Sequence, residues 1–101
     1  MNLRRYSAMR ESQGTVWPRA VARAIHERDN DRCVGPLIGL PVKCFGQPQK
    51  DHIRASGGLG MKSASTVENG ALLCAACHRY KTENGRLVRP LLLAYIAKVS
   101  A

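Results

Sequence analysis

Leu72-Leu73-Cys74-Ala75-Ala76-Cys77-His78-Arg79-Tyr80-Lys81-Thr82 is the stretch on which the reading of this chain turns. Two leucines lead into a Cys-x-x-Cys pair, and a histidine follows at once. The apolar lead reads as a short strand, Ala71 to Leu73, and the run from about Ala75 as a helix that Asn84-Gly85 stops. Thiols two residues apart at a strand-to-helix turn can both face one ion, and the helix N-terminus favours their negative charge. That is half of a structural zinc site. Cys33 and Cys44 are the other two cysteines and supply the second half. Their gap is wider than the usual knuckle, with Gly35-Pro36, Gly39 and Pro41 to fold the excess. Two disulfides, a redox pair at Cys74 and Cys77, or four free thiols stand as alternatives. A tetrahedral four-cysteine zinc staple is the favoured reading.

Working outward, Asp51-His52 lies between the two cysteine pairs in sequence, and Asn69 stands just ahead of the second strand. Adjacent strand residues face opposite ways, so Asp51 and His52 suit different roles around one phosphate. Asp51 offers a hard oxygen ligand of the kind Mg²⁺ prefers. His78, on the helix across the strand, can complete the protein's share of that site. His52 then stays free as a neutral imidazole, the form a general base needs. Asn69 before Gly70 is, on that dipeptide alone, a turn residue.

Composition points the same way. Lys and Arg number 16 against 7 acidic residues in a chain of 101, a net charge of +9. Such a balance favours a polyanionic partner, nucleic acid above all. Leu, Ile, Val and Phe total only 22, a thin core that calls for a staple. The longest apolar stretch, Leu87 to Val99, is interrupted by Arg89 and Pro90, so no membrane span is expected. No apolar stretch follows Arg4 and Arg5 as a secretory signal would require, and the expected location is the cytoplasm.

The remaining segments fall into place around these. Residues 1–13 read as a basic, flexible arm, and 14–101 as one domain. Thr15 to Asp29 reads as a helix with Pro18 in its first turn and Trp17, Val21 and Ile25 as a buried stripe. His26 on that helix reads as a surface or packing histidine. Asn30 to Gln49 is turn-rich. Lys50 to Ala55 reads as a strand, Ser56 to Ala64 as a glycine-rich loop, and Ser65 to Glu68 as a capping-box turn. A last helix is expected from Pro90 to Val99, with Leu91, Leu92, Tyr95 and Val99 on its apolar side.

Asp51-His52-Ile53, the Gly57-Gly58 loop, Asn69, and the run from Leu72 to Thr82 together resemble the HNH endonucleases of the ββα-metal (His-Me finger) fold. The resemblance covers about Arg28 to Gly85 and is strongest to small HNH proteins of bacteriophages and prophages. It implies an α+β fold, a small ββα-metal domain stapled by zinc, with flanking N- and C-terminal helices. It implies that His52 is the general base and that Asn69 braces the loop and orients that histidine. Asp51 and His78 would hold the catalytic divalent ion, Mg²⁺ or another such as Mn²⁺. Cys33, Cys44, Cys74 and Cys77 match the structural zinc of the zinc-containing branch. Where some members carry a further metal-binding histidine, this chain has Thr82, which leaves two protein ligands and an open shell.

The reaction so implied is hydrolysis of DNA phosphodiester bonds, by nicking or double-strand cleavage, leaving 5′-phosphate and 3′-hydroxyl ends. A role in phage DNA packaging or processing, beside a terminase, follows from the same resemblance. Arg54, Arg79, Lys81, Arg86 and Arg89 are the expected phosphate contacts. A monomer is slightly favoured. A different class also accounts for the charge and the cysteines, namely a non-catalytic, zinc-stapled DNA-binding or adaptor module. It leaves the joint occurrence of Asp51, His52, Asn69 and His78 unexplained.

Overall fold

A computed structural model describes residues 17–54 and 64–100. The expected arm at 1–13, the glycine-rich loop at 56–63 and the start of the first helix at 15–16 lie outside the described residues. Within them the fold is α+β: a two-stranded antiparallel sheet, three α-helices and two short 3₁₀ turns. No described helix is long and apolar enough to cross a membrane.

The first helix, α1, spans Arg19–Arg28, with Pro18 as its N-cap. Proline suits that place because the first-turn N–H groups lack helical partners anyway. Only Ile25 of the expected stripe is fully buried, while Trp17 and Val21 are half-buried. The turn-rich segment contains a 3₁₀ turn, Gly35–Ile38, closed by Gly39 at φ 78°. Strand β1 is Gln49–His52 and strand β2 is Gly70–Leu73. They pair with Gln49 opposite Leu73 and His52 opposite Gly70. β2 is buried along its whole length and β1 is not. A second 3₁₀ turn, Val67–Asn69, leads into β2.

Helix α2 covers Ala75–Glu83, capped by the Cys74 sulfur, which accepts from the Cys77 N–H. The C-terminal helix, α3, departs from the sequence reading. It starts at Gly85, directly after α2, and runs to Val99 with Pro90 inside it. Its buried stripe is Val88, Leu92 and Ile96, spaced four apart, whereas Val99 is exposed. That stripe begins a half-turn before the proline, so burial carries the helix through it. Pro90 costs one hydrogen bond to the Arg86 carbonyl, on a side where both residues are exposed.

The core gathers Val34, Ile53, Ala71, Leu73, Cys74, Cys77, Val88 and Leu92 between the sheet, α2 and α3. One polar hub ties the layers. The Asp29 carboxylate is buried and accepts from Arg28 at 2.7 and 2.9 Å, from the Leu72 N–H at 3.0 Å and from the Tyr95 hydroxyl at 2.6 Å. Four donors on one carboxylate offset the cost of burying its charge. Arg28 also donates to the Val67 and Gly70 carbonyls, at 2.8 and 2.6 Å, on either side of Asn69.

Candidate metal and phosphate site

Cys74 and Cys77 sit at the head of α2, and the folded segment after α1 brings Cys33 and Cys44 to them. All four sulfurs lie within 4.8 Å of one another, and all four are free thiols. Four sulfurs about 2.3 Å from one tetrahedral ion would stand about 3.8 Å apart, so the cluster is close to a closed zinc site. Backbone N–H groups point at the sulfurs: Gly35 and Cys74 at Cys33, Phe45 and Cys77 at Cys74, at 3.2 to 3.5 Å. Such donors stabilise thiolates. Gly35 has no room for a side chain, because a Cβ there would collide with the Cys77 sulfur. The donor set, spacing and burial together fit a zinc ion.

The thiols differ in acidity. Burial pushes Cys74 up, but the Cys77 and Phe45 N–H groups outweigh it and bring it down to about 6. Burial pushes Cys44 up to about 11 and raises Cys77 as well. Of the shifted thiols, Cys74 is the one whose thiolate its surroundings favour.

One residue beyond Cys77, His78 turns outward. Its Nδ1 is 2.8 Å from Asp51 Oδ1, with the histidine side chain 56 % exposed and the aspartate 11 %. Asp51 Oδ2 is buried and makes no aligned hydrogen bond; the Lys81 ammonium lies 3.0 Å from it as a charge contact. The Asp51 Oδ1 and His78 Nδ1 pair is a donor set that fits a divalent cation. Lys81 also donates to the His52 carbonyl at 2.8 Å. This lysine, expected among the phosphate contacts, thus has its charge engaged by Asp51. Among the other expected contacts, Arg54, Arg79 and Arg86 are exposed, and Arg89 is half-buried, its guanidinium folded over Gly85.

His52 ends β1, half-buried. Its ring stacks on Trp17, with centroids 4.2 Å apart and planes 16° from parallel. Its Nε2 is 2.9 Å from the Ser65 hydroxyl. Burial pushes the imidazole below its ordinary value of 6.5; Asp51 opposes the shift and Lys81 adds to it. Asn69 is buried and clamps the two ends of the segment between Arg54 and Ala64. It accepts from the Arg54 N–H at 2.9 Å and donates to the Arg54 and Ala64 carbonyls at 3.2 and 2.8 Å.

The strand alternation does not keep these groups apart. A cleft of about 430 Å³ is lined by Trp17, His26, Gln49, Asp51, His52 and His78 together. A second depression of about 300 Å³ adjoins it, sharing Asp51 and His78. His26 is paired to Asp31 at 2.8 Å. Sequence reasoning missed two contributors. From sequence, Trp17 reads as core and Ser65 as part of a capping-box turn. The one signal for Trp17 was that a lone tryptophan stood before the helix-starting Pro18; Ser65 carried none.

Comparison with known protein families, curated proteins and solved structures finds no match to this chain. The class defined by the described residues is accordingly a small α+β domain with a four-cysteine cluster at one end of α2 and an Asp-His-His cleft beside it.

Proposed function

We propose that this chain is a divalent-metal-dependent endonuclease of the HNH type, with the ββα-metal fold, that hydrolyses DNA phosphodiester bonds. One observation carries the reading: Asp51, His52 and His78 line a single cleft, with Asp51 Oδ1 2.8 Å from His78 Nδ1. The net charge of +9 supports a polyanionic substrate. The order of β1, β2 and α2, with Asn69 joining Arg54 to Ala64 between the strands, supports the family resemblance.

Asp51 and His78 would hold the catalytic cation, Mg²⁺ or Mn²⁺. When bound, such an ion supplies Lewis-acid polarisation of the phosphate and neutralises the departing oxygen. His52 does the proton work. Its Nε2 is engaged by Ser65, which leaves Nδ1 to accept the proton of the attacking water. Its depressed pKa keeps the ring neutral at the pH where that proton must be taken. Asn69 ties Arg54, just after β1, to Ala64, ahead of β2. The cysteine cluster, loaded with zinc, holds the head of α2 and so sets where His78 starts.

The test is direct. Purified protein, supercoiled plasmid and added Mg²⁺ should yield nicked or linear DNA, and the same mixture without added Mg²⁺ should not. A gel shift with intact plasmid under both conditions would overturn the enzyme and leave the zinc-stapled binding module. The phage-packaging role is tested separately, by cleavage with and without a terminase present.

A further inference from the structure

The His52 side chain lies at the end of a strand, where a ring ordinarily has room to turn. Here it is restrained on its face, its edge and its backbone. On the face lies Trp17, parallel within 16° and 4.2 Å away. On the edge lies the Ser65 hydroxyl, 2.9 Å from Nε2. On the backbone, Lys81 donates to the His52 carbonyl at 2.8 Å.

The seat for Trp17 is built into the sheet. Gly70 is the register partner of His52. A Cβ at Gly70 would fall 2.5 Å from Ile25 Cδ1 and 2.7 and 2.9 Å from Trp17 Cη2 and Cζ3. Glycine at that position is what lets the indole lie across the strand pair and reach the imidazole. Trp17 is otherwise poorly explained as a core residue: it is half-buried and outside the apolar cluster. Ser65 is likewise anchored, because Asn69 holds the preceding residue, Ala64, by its carbonyl at 2.8 Å.

We infer that Trp17 and Ser65 are positioning residues for His52, Trp17 fixing the plane of the imidazole and Ser65 holding its Nε2 edge as the Nε2–H tautomer's acceptor. A hydroxyl can accept from Nε2–H or donate to a bare Nε2; the first, which leaves the lone pair on Nδ1 where a general base needs it, is the arrangement assigned to this pair. The device joins residues 17 and 65 to residue 52, so the N-terminal helix and the strand connection both serve the cleft. The use made of this orientation rests on the nuclease reading; the orientation itself does not.

Two measurements test it. Nitrogen-15 NMR of the histidine rings in the whole protein should give His52 as a single Nε2–H tautomer. Ser65→Ala should turn it into a tautomer mixture, while Ser65→Thr, which keeps the hydroxyl, should restore the single form. In the cleavage assay, Ser65→Ala and Trp17→Leu should lower kcat by about 10- to 100-fold, the scale of a misplaced reacting group, with KM within about twofold of wild type. Trp17→Phe, which retains an aromatic plane, should recover most of that rate, and it keeps the test readable if the Leu variant does not fold. A mixed His52 tautomer in the wild type, or Ser65→Ala with unchanged ring signals and unchanged kcat, would overturn the inference. If the wild type cuts no DNA, the nuclease reading falls alone, and the NMR result still decides the positioning.

Discussion

Cys77 and His78 are neighbours on one helix, yet they belong to opposite kinds of site. Cys77 is wholly buried among sulfurs and apolar side chains, and its surroundings repel charge until a cation arrives. His78 has a side chain 56 % exposed and faces a carboxylate in an open cleft. One helical step of about 100° separates them. At the cysteine end four N–H donors approach the sulfurs and Gly35 abuts Cys77, and Cys44 alone of the four thiols is exposed. The Asp51–His52–His78 end is open on one side and polar, as a site must be if a substrate is to enter. The contrast teaches that consecutive residues of one helix can face a buried sulfur cluster and an open polar cleft, so that whatever fixes the first also places the second.

The comparison breaks most severely at the cysteine end. Protein as isolated should contain one zinc per chain by metal analysis, and Cys74→Ser should abolish the folded state. Cys74 is the most acidic of the shifted thiols, caps α2 and accepts two N–H groups, and the metal's binding energy is also folding energy. Circular dichroism of Cys74→Ser, and of wild type after chelation, reads this. Folded protein with no zinc would mean that the core alone suffices.

A change at the open end should act the other way. His52→Ala should leave zinc content and helical signal in place and lower DNA cleavage by about 10²–10⁴, the usual contribution of a general base. It should also shift the emission of Trp17, the chain's single tryptophan, to the red as the indole loses its stacked neighbour. If His52→Ala unfolds the protein, the two ends are not separable, and the division drawn between them fails.

The smallest effect sharpens the boundary from outside both sites. Tyr95 donates to Asp29 at 2.6 Å, and Tyr95→Phe should cost about 1.5–3 kcal/mol in urea unfolding, as for a hydrogen bond to a charged acceptor. Burial, with the Asp29 hydrogen bond and charge, raises the Tyr95 hydroxyl from 10.0 to about 12; the neighbouring Arg28 guanidinium opposes this. The folded chain thus keeps a proton that the unfolded chain releases. Its contribution is whole below pH 10.0 and is lost as pH rises to about 12. Tyr95→Phe should lack that alkaline decline while retaining zinc and cleavage at neutral pH.

The local features were legible from sequence because their causes are local. The Cys-x-x-Cys spacing, the Asn84-Gly85 stop and the strand leading into α2 need only neighbouring residues, and the structure has them where spacing put them. The α3 boundary was not legible. Proline is a good helix starter, and only the burial of Val88 beside Leu92 and Ile96 shows that the helix is already under way at Gly85. Asp29 gave no signal at all, since an acidic residue after a helix reads as a surface group until a tyrosine 66 positions on is found against it.

The sequence by itself determined the chemistry on hand: four thiols in two pairs, a carboxylate beside an imidazole, a second imidazole next to a cysteine, and an excess of positive charge. These follow from residue type and short spacing, which no fold can alter. Tertiary structure alone decided the partners. It put Trp17 on His52, Ser65 on its Nε2 and Lys81 on Asp51, and it made Gly70 the seat of an indole. Those contacts join residues from 13 to 53 positions apart. Chain path and the volume left by neighbouring side chains determine who meets across such distances, and neither is written in any one segment.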